Sequence, residues 1–240
     1  MKIEQVINKA NGRVWVELIK EASFDEWLAY LFDRPECNSG KHWTFGDHGP
    51  VWDAHLELTA EFIARTYEDP DYWMPHFSPA QIADGLQYTW NPSLSDVVFA
   101  VRDEPVPWLL RQRAIRALVP LYQRCFAKLC SPGLSHLDEC RDNPVNGVCY
   151  KYWDVCPFYG QPENPKQREL DDECLRVMEV TVQIDHDACR ESALHGLGHW
   201  ALYYPSRVAA IIEEGLKPVR YRLRPQLLQY AKAAACGSVV

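Results

Sequence analysis

Residues 191–200 read ESALHGLGHW, inside a segment from 187 to 204 that is apolar around most of a helical circumference. At about 100° per residue, Cys189, Ala193, Gly196, Leu197, Trp200 and Tyr204 share one stripe. Leu194, Ala201 and Leu202 fill much of the remaining surface. A helix apolar nearly all round is enclosed by other elements, so this stretch predicts a layered helical fold. Gly196 and Gly198 each cost a helix interior about 1 kcal/mol relative to alanine, and their presence predicts a neighbouring helix at close range. His195 and His199, one turn apart, project roughly 140° from the middle of the stripe, towards a second layer or a cleft.

Working outward, the same helical punctuation recurs. Ser23 and Glu26 form a capping box opening FDEWLAYLFDRP, which Pro35 ends. Ser78, Pro79 and Gln81 repeat the signature before QIADGLQYTW. Leu56, Ala60, Ile63 and Tyr67 form a stripe, as do Ile115, Val119, Tyr122, Phe126 and Leu129 in a long helix that Pro120 should kink. Asn164, Pro165 and Gln167 predict a further helix start, with Leu170, Cys174, Val177, Thr181 and Ile184 on one face. IDHD and YYPS are short turns, so the helices of the last third must pack as antiparallel neighbours. No strand pattern competes, although SDVVFAVR (95–102) could extend briefly. The expected fold is a single all-α domain over residues 1–240, with two long irregular loops at 34–54 and 131–163.

Composition narrows the functional classes. The 240 residues carry a formal net charge of −8, which argues against nucleic acid as a partner and suits a basic protein. No run of about twenty apolar residues predicts a membrane span, and no signal-type segment opens the chain. Nine scattered cysteines without a dense framework predict mostly reduced thiols and a cytoplasmic location.

Three groups could carry chemistry. The first is His195 and His199, with Glu191 a further turn back, as metal or ligand contacts; zinc is the natural ion for such a pair. Gly196 stands where a zincin helix carries its catalytic glutamate, so that protease chemistry lacks its base. The alternative reading of these histidines is structural, each ring hydrogen-bonded inside the core. The second group, His136, Cys140, Cys149 and Cys156, offers four soft ligands without the tight Cys-x-x-Cys pairing of structural zinc sites. The third is the loop KHWTFGDHGPVWDAH, where Trp43, His48 and Trp52 are ligand-binding candidates beside His42, Asp47, Asp53 and His55.

The segment ACRESALHGLGHWALYYPSRVAAIIEEGL resembles the paired helices of HEAT-like α-helical repeats, and its ALHGLGHW core is similar to a segment of uncharacterised bacterial proteins. The resemblance covers the C-terminal third and implies a superhelical stack of antiparallel helix pairs, clearest over 164–236. It implies a surface for another macromolecule and no catalytic residues. The favoured expectation is therefore a non-catalytic, immunity-type or adaptor protein binding a basic protein, without a cofactor. The alternative is a metal-dependent enzyme or sensor built on His195 and His199.

Overall fold

The computed structural model describes residues 1–7, 14–35, 42–45 and 49–239. The architecture is mostly helical, with one departure from the expected all-α chain at its start. Strand β1 (Lys2–Ile7) pairs antiparallel with β2 (Val14–Glu21), placing Ile3 opposite Ile19 and Val6 opposite Val16. Strand β3 (Val51–Trp52) then adds parallel to β2. The β-branched run around Val14 and Val16 favours extension. This hairpin hides from pattern reading because Ile3, Ile7, Val14 and Trp15 are exposed and only Ile19 is buried, so no clean alternation marks an inner face.

Both capping boxes form as the sequence predicts. Ser23 and Glu26 open α1 (Phe24–Phe32). The next helices are α2 (Leu56–Glu68), α3 (Pro70–Trp73) and α4 (Pro79–Trp90), the last opened by the Ser78–Gln81 box. The segment that could have extended becomes helix α5 (Phe99–Arg102). The long helix predicted around Pro120 is interrupted: α6 (Trp108–Arg116), α7 (Leu118–Leu121), a π-turn at Tyr122–Phe126, then α8 (Ala127–Leu129). Proline has no N–H for the Arg116 carbonyl and crowds it, and the irregular turns bracket that position.

Residues 131–163 are not one irregular loop. Asn143 caps α9 (Pro144–Val155), its side chain accepting from Val145 N–H with Pro144 at the first helical position. Helix α10 (Arg168–Thr181) starts later than expected: the Asn164 side chain accepts from Lys166 N–H and its carbonyl from Gln167 N–H, closing a turn that precedes the helix. Then come α11 (Asp187–Trp200), α12 (Pro205–Leu216) and α13 (Pro225–Ala235).

Helix α11 is the hub of this half, packed by α9, α10, α12 and α13. All of its residues except Asp187 and His199 are buried. The glycines act as the sequence suggests: a Cβ on Gly196 would lie 2.6 Å from Trp153 Cγ on α9 and 2.8 Å from Met178 Sδ on α10. The main apolar core runs on through α4, which packs on both α1 and α9, and draws residues from Ile19 to Ala234. Basic residues pair with the acidic excess, as in Arg113 with Glu61 and Glu68, and Arg116 with Glu173. No helix among the described residues is long and apolar enough to cross a membrane, and the eight described cysteines are free thiols.

Candidate metal centre

One turn of α11 and the end of α9 bring three potential ligands together. His195, His199 and Asp154 each offer an atom, and these atoms lie within 4.8 Å of one another. His195 Nε2 and His199 Nε2 are 3.2 Å apart, and His199 Nε2 lies 3.4 Å from Asp154 Oδ1. Two ligand atoms each about 2.1 Å from a shared ion, at octahedral to tetrahedral angles, are separated by roughly 3.0–3.4 Å. The nitrogen pair and the nitrogen–carboxylate pair both sit in that range. Among the described residues this is the group of histidine, cysteine and acidic side chains with metal-like spacing.

Local sequence explains the convergence. His195 and His199 share one face of α11 because they are a turn apart. Asp154 follows Trp153, the side chain that the bare backbone of Gly196 admits. The glycine contact therefore draws the last turn of α9 against the histidine face.

His195 is buried and His199 is 39% exposed, with Asp154 at 43%. The site thus has an inner ligand and two that reach solvent. Burial, reinforced by the neighbouring His199, pushes the His195 imidazole down to about 4. It is uncharged at neutral pH, the form in which a ring nitrogen can donate to a metal.

A chain of groups behind His195 holds its ring. Nδ1 lies 2.6 Å from the Tyr230 hydroxyl, which lies 3.1 Å from the hydroxyl of Tyr150. Were Nε2 to hold a metal, Nδ1 would carry the proton and donate to Tyr230, whose own proton would pass to Tyr150 as the next acceptor. Burial raises the Tyr230 and Tyr150 hydroxyls above their ordinary range, so both remain protonated at neutral pH. The His136 ring stacks on Tyr230 at 4.2 Å.

Glu191, a sequence candidate for ligation, does something else. Its carboxylate accepts from Ser135 N–H at 2.8 Å and His136 N–H at 2.9 Å, and pairs with the His136 ring. It is fully buried and is not among the three grouped ligands. It pins the turn that carries His136, and so supports Tyr230 and His195 at second hand.

The other candidates do not gather. His136 is engaged by Glu191, Cys140 packs at Gly133, and Cys149 points to the Ala188 carbonyl at 3.7 Å and sits beside the thiols of Cys130 and Cys189, not those of Cys140 or Cys156. Cys156 is buried, and burial pushes its thiol up to about 12. Trp43 and Trp52 are buried among Tyr30, Tyr88 and Trp27, with the guanidinium of Arg34 over Trp43. His42 bonds the Asp84 carbonyl, Asp53 pairs with Lys20, and His55 caps α2. His48 and Asp47 lie outside the described residues.

The residue missed from the sequence is Asp154. Its signal was present: Asn143–Pro144 repeats the cap-plus-proline signature seen at Ser78–Pro79, with Val145, Val148, Cys149 and Tyr152 at helical spacing.

Asp154 and His199 line a pocket of about 330 Å³. Trp153, Phe158, Tyr159, Trp200 and Tyr203 supply aromatic wall. Comparison with protein-family models, with curated proteins and with solved structures finds no match to this chain.

Proposed function

We propose that the protein is a metal-dependent enzyme or sensor that holds one divalent transition-metal ion on Asp154, His195 and His199. The observation that carries this reading is the 3.2 Å and 3.4 Å spacing of the three ligand atoms. Two imidazoles and one carboxylate on one side of an ion leave coordination positions open, the pattern of reactive zinc and non-haem iron(II) sites rather than closed structural ones. An ion held there supplies Lewis acidity to a ligand entering the pocket. The chain's own contribution is to fix His195 through Tyr230, to present Asp154 from a second helix, and to leave His199 accessible.

Metal content of the freshly purified protein tests this. One equivalent of zinc or iron is expected, lost in a His195→Ala, His199→Ala double variant and reduced in Asp154→Asn. Protein that stays metal-free after incubation with excess zinc and buffer exchange would sink the reading.

A second reading is favoured by the rim of the pocket, where Leu202 is 80% exposed beside the partly exposed Tyr159 and Tyr203. Clustered exposed apolar side chains suit a protein partner, and the net charge of −8 suits a basic one. On this reading α10–α13 form a HEAT-like stack of a bacterial, cytoplasmic immunity-type or adaptor protein. Capture of a stoichiometric basic partner that Leu202→Asp abolishes is the expected result; unchanged capture by that variant removes the rim from the interface.

A further inference from the structure

A second cluster of reactive groups lies where the start of α11 meets α9 and the end of α8. Cys149 faces the first turn of α11: its sulfur lies 3.7 Å from the Ala188 carbonyl, and its own carbonyl accepts from the Ser192 hydroxyl. Cys189 follows Ala188, and its sulfur lies 3.8 Å from the carbonyl of Tyr122, whose hydroxyl bonds Ser192. The Cys149 thiol thus sits against that of Cys189, and against that of Cys130 as well. Asn146, one turn before Cys149, bonds both the N–H and the carbonyl of Ser131 and so keeps Cys130 at this junction.

His186 completes the group. It stands at the N-cap of α11, three residues before Cys189, and its ring lies against the Cys189 sulfur. Its Nδ1 is buried and lacks a hydrogen-bond partner, so it is placed to take the thiol proton of Cys189. Cys189 is also the third residue of a 14-residue helix, where backbone N–H groups and the macrodipole favour negative charge. The Cys149 thiol, and after it His186, hold Cys189 below the ordinary thiol range, whereas burial raises Cys149. One sulfur is thereby disposed to be a thiolate and its neighbour to remain a thiol, the asymmetry of a disulfide-forming pair.

We propose that Cys149 and Cys189 form a peroxide-oxidisable dithiol, with Cys189 as the attacking sulfur, Cys149 as the resolving one and His186 as the proton acceptor. Both sulfurs are buried, so the oxidant is hydrogen peroxide, small enough to reach them, rather than glutathione disulfide or a folded protein. The Cys189 thiolate attacks one peroxide oxygen and the O–O bond breaks. The released hydroxide takes the proton held on His186 and leaves as water. The Cys149 sulfur then displaces hydroxide from the sulfenic acid at Cys189, and its own proton leaves with that hydroxide as a second water. Two thiols and one peroxide give one disulfide and two waters, the sulfurs losing the two electrons that the peroxide gains. None of these residues belongs to the candidate metal centre, so the pair is independent of it.

Reduced full-length protein exposed to hydrogen peroxide, then alkylated in denaturant and mapped by non-reducing peptide mass spectrometry, tests this. The Cys149–Cys189 link is expected first among the buried thiols, at least about tenfold faster than oxidation of Cys125 or Cys174, whose thiols burial raises. Dithiothreitol should restore both thiols. In Cys149→Ala, Cys189 should instead stop at the sulfenic acid, trapped by dimedone. His186→Asn should slow the linkage several-fold with thermal unfolding little changed, a loss that a packing role alone does not produce. Three results each overturn the proposal: Cys149 and Cys189 still free after Cys125 and Cys174 have reacted, a first link between Cys130 and Cys149, or a bound zinc ion that Cys189→Ser releases. An unchanged rate in His186→Asn overturns the role given to His186.

Discussion

Replacing Gly196 with alanine gives a quantitative test of the helix seam, with a built-in control on the facing helix. Gly147 lies in α9, exposed, and a Cβ there would meet nothing within 4 Å. Gly147→Ala should therefore gain the ordinary helix-propensity difference of about 0.5–1 kcal/mol. Gly196→Ala gains the same term but sets its Cβ 2.6 Å from Trp153 Cγ and 2.7 Å from Trp153 Cβ. Carbon atoms in good contact sit about 3.5–4.0 Å apart, so roughly 1 Å of separation must be recovered. Trp153 Cβ is bonded directly to the α9 backbone, which leaves helix displacement or a distorted rotamer as the means. Overpacking of this kind costs about 1–3 kcal/mol. Gly196→Ala should thus fall about 1–3 kcal/mol below Gly147→Ala in stability. At this chain length that is about 2–4 °C in Tm for each kcal/mol. Urea and thermal unfolding of both variants and the parent would measure it. A Gly196→Ala protein as stable as Gly147→Ala would falsify the close approach of α9 to α11.

Other perturbations have equally definite outcomes. Glu191→Leu removes the partner of two part-buried backbone N–H groups and of the His136 ring, at about 1 kcal/mol or more each; urea unfolding should show a loss of about 2–3 kcal/mol. Tyr230→Phe keeps the ring stack on His136 but removes the hydroxyl at His195. Zinc affinity by chelator competition should fall about tenfold, with a stability loss of about 1–3 kcal/mol because the buried His195 ring and Tyr150 hydroxyl lose a partner; unaltered affinity would remove Tyr230 from the site's support. Glu139 is held down to about 2, from an ordinary value of 4.5, by the forked contact from Arg224 and by Leu134 N–H. A depressed carboxyl stabilises the fold above its unfolded-state pKa, and that contribution disappears as the pH falls from about 4.5 towards 2. The slope of stability against pH in that window should flatten in Arg224→Gln.

How much of this was legible from residues alone depended on whether a signal was local. The boxes at Ser23–Glu26 and Ser78–Gln81 announce their helices because capping is settled within four residues. The enclosed character of α11 was visible in a circumference with almost no polar gap, and the glycines marked its close neighbours. The hairpin was not legible, since its strands bury little and register is set by pairing between segments. Asp154 was missed for a different reason. Its helix had a readable cap at Asn143, but its neighbourhood with His195 and His199 depends on which helix fills the space beside Gly196, a tertiary fact. Glu191 shows the converse error. Helical spacing placed it with the histidines, whereas an unpaired stretch of backbone at Ser135 and His136 claimed its carboxylate.

The contact between Gly196 and Trp153 has an evolutionary consequence. Trp153 immediately precedes Asp154, so the gap between the helices and the reach of the carboxylate are set by one joint. A lineage that enlarged residue 196 would be selected to shrink residue 153 or to lose the carboxylate's place beside the histidines. The glycine, the tryptophan and the aspartate should therefore be inherited as a unit, with paired changes rather than independent drift. A glycine that touches no ligand would then record, in descent, whether the site is retained.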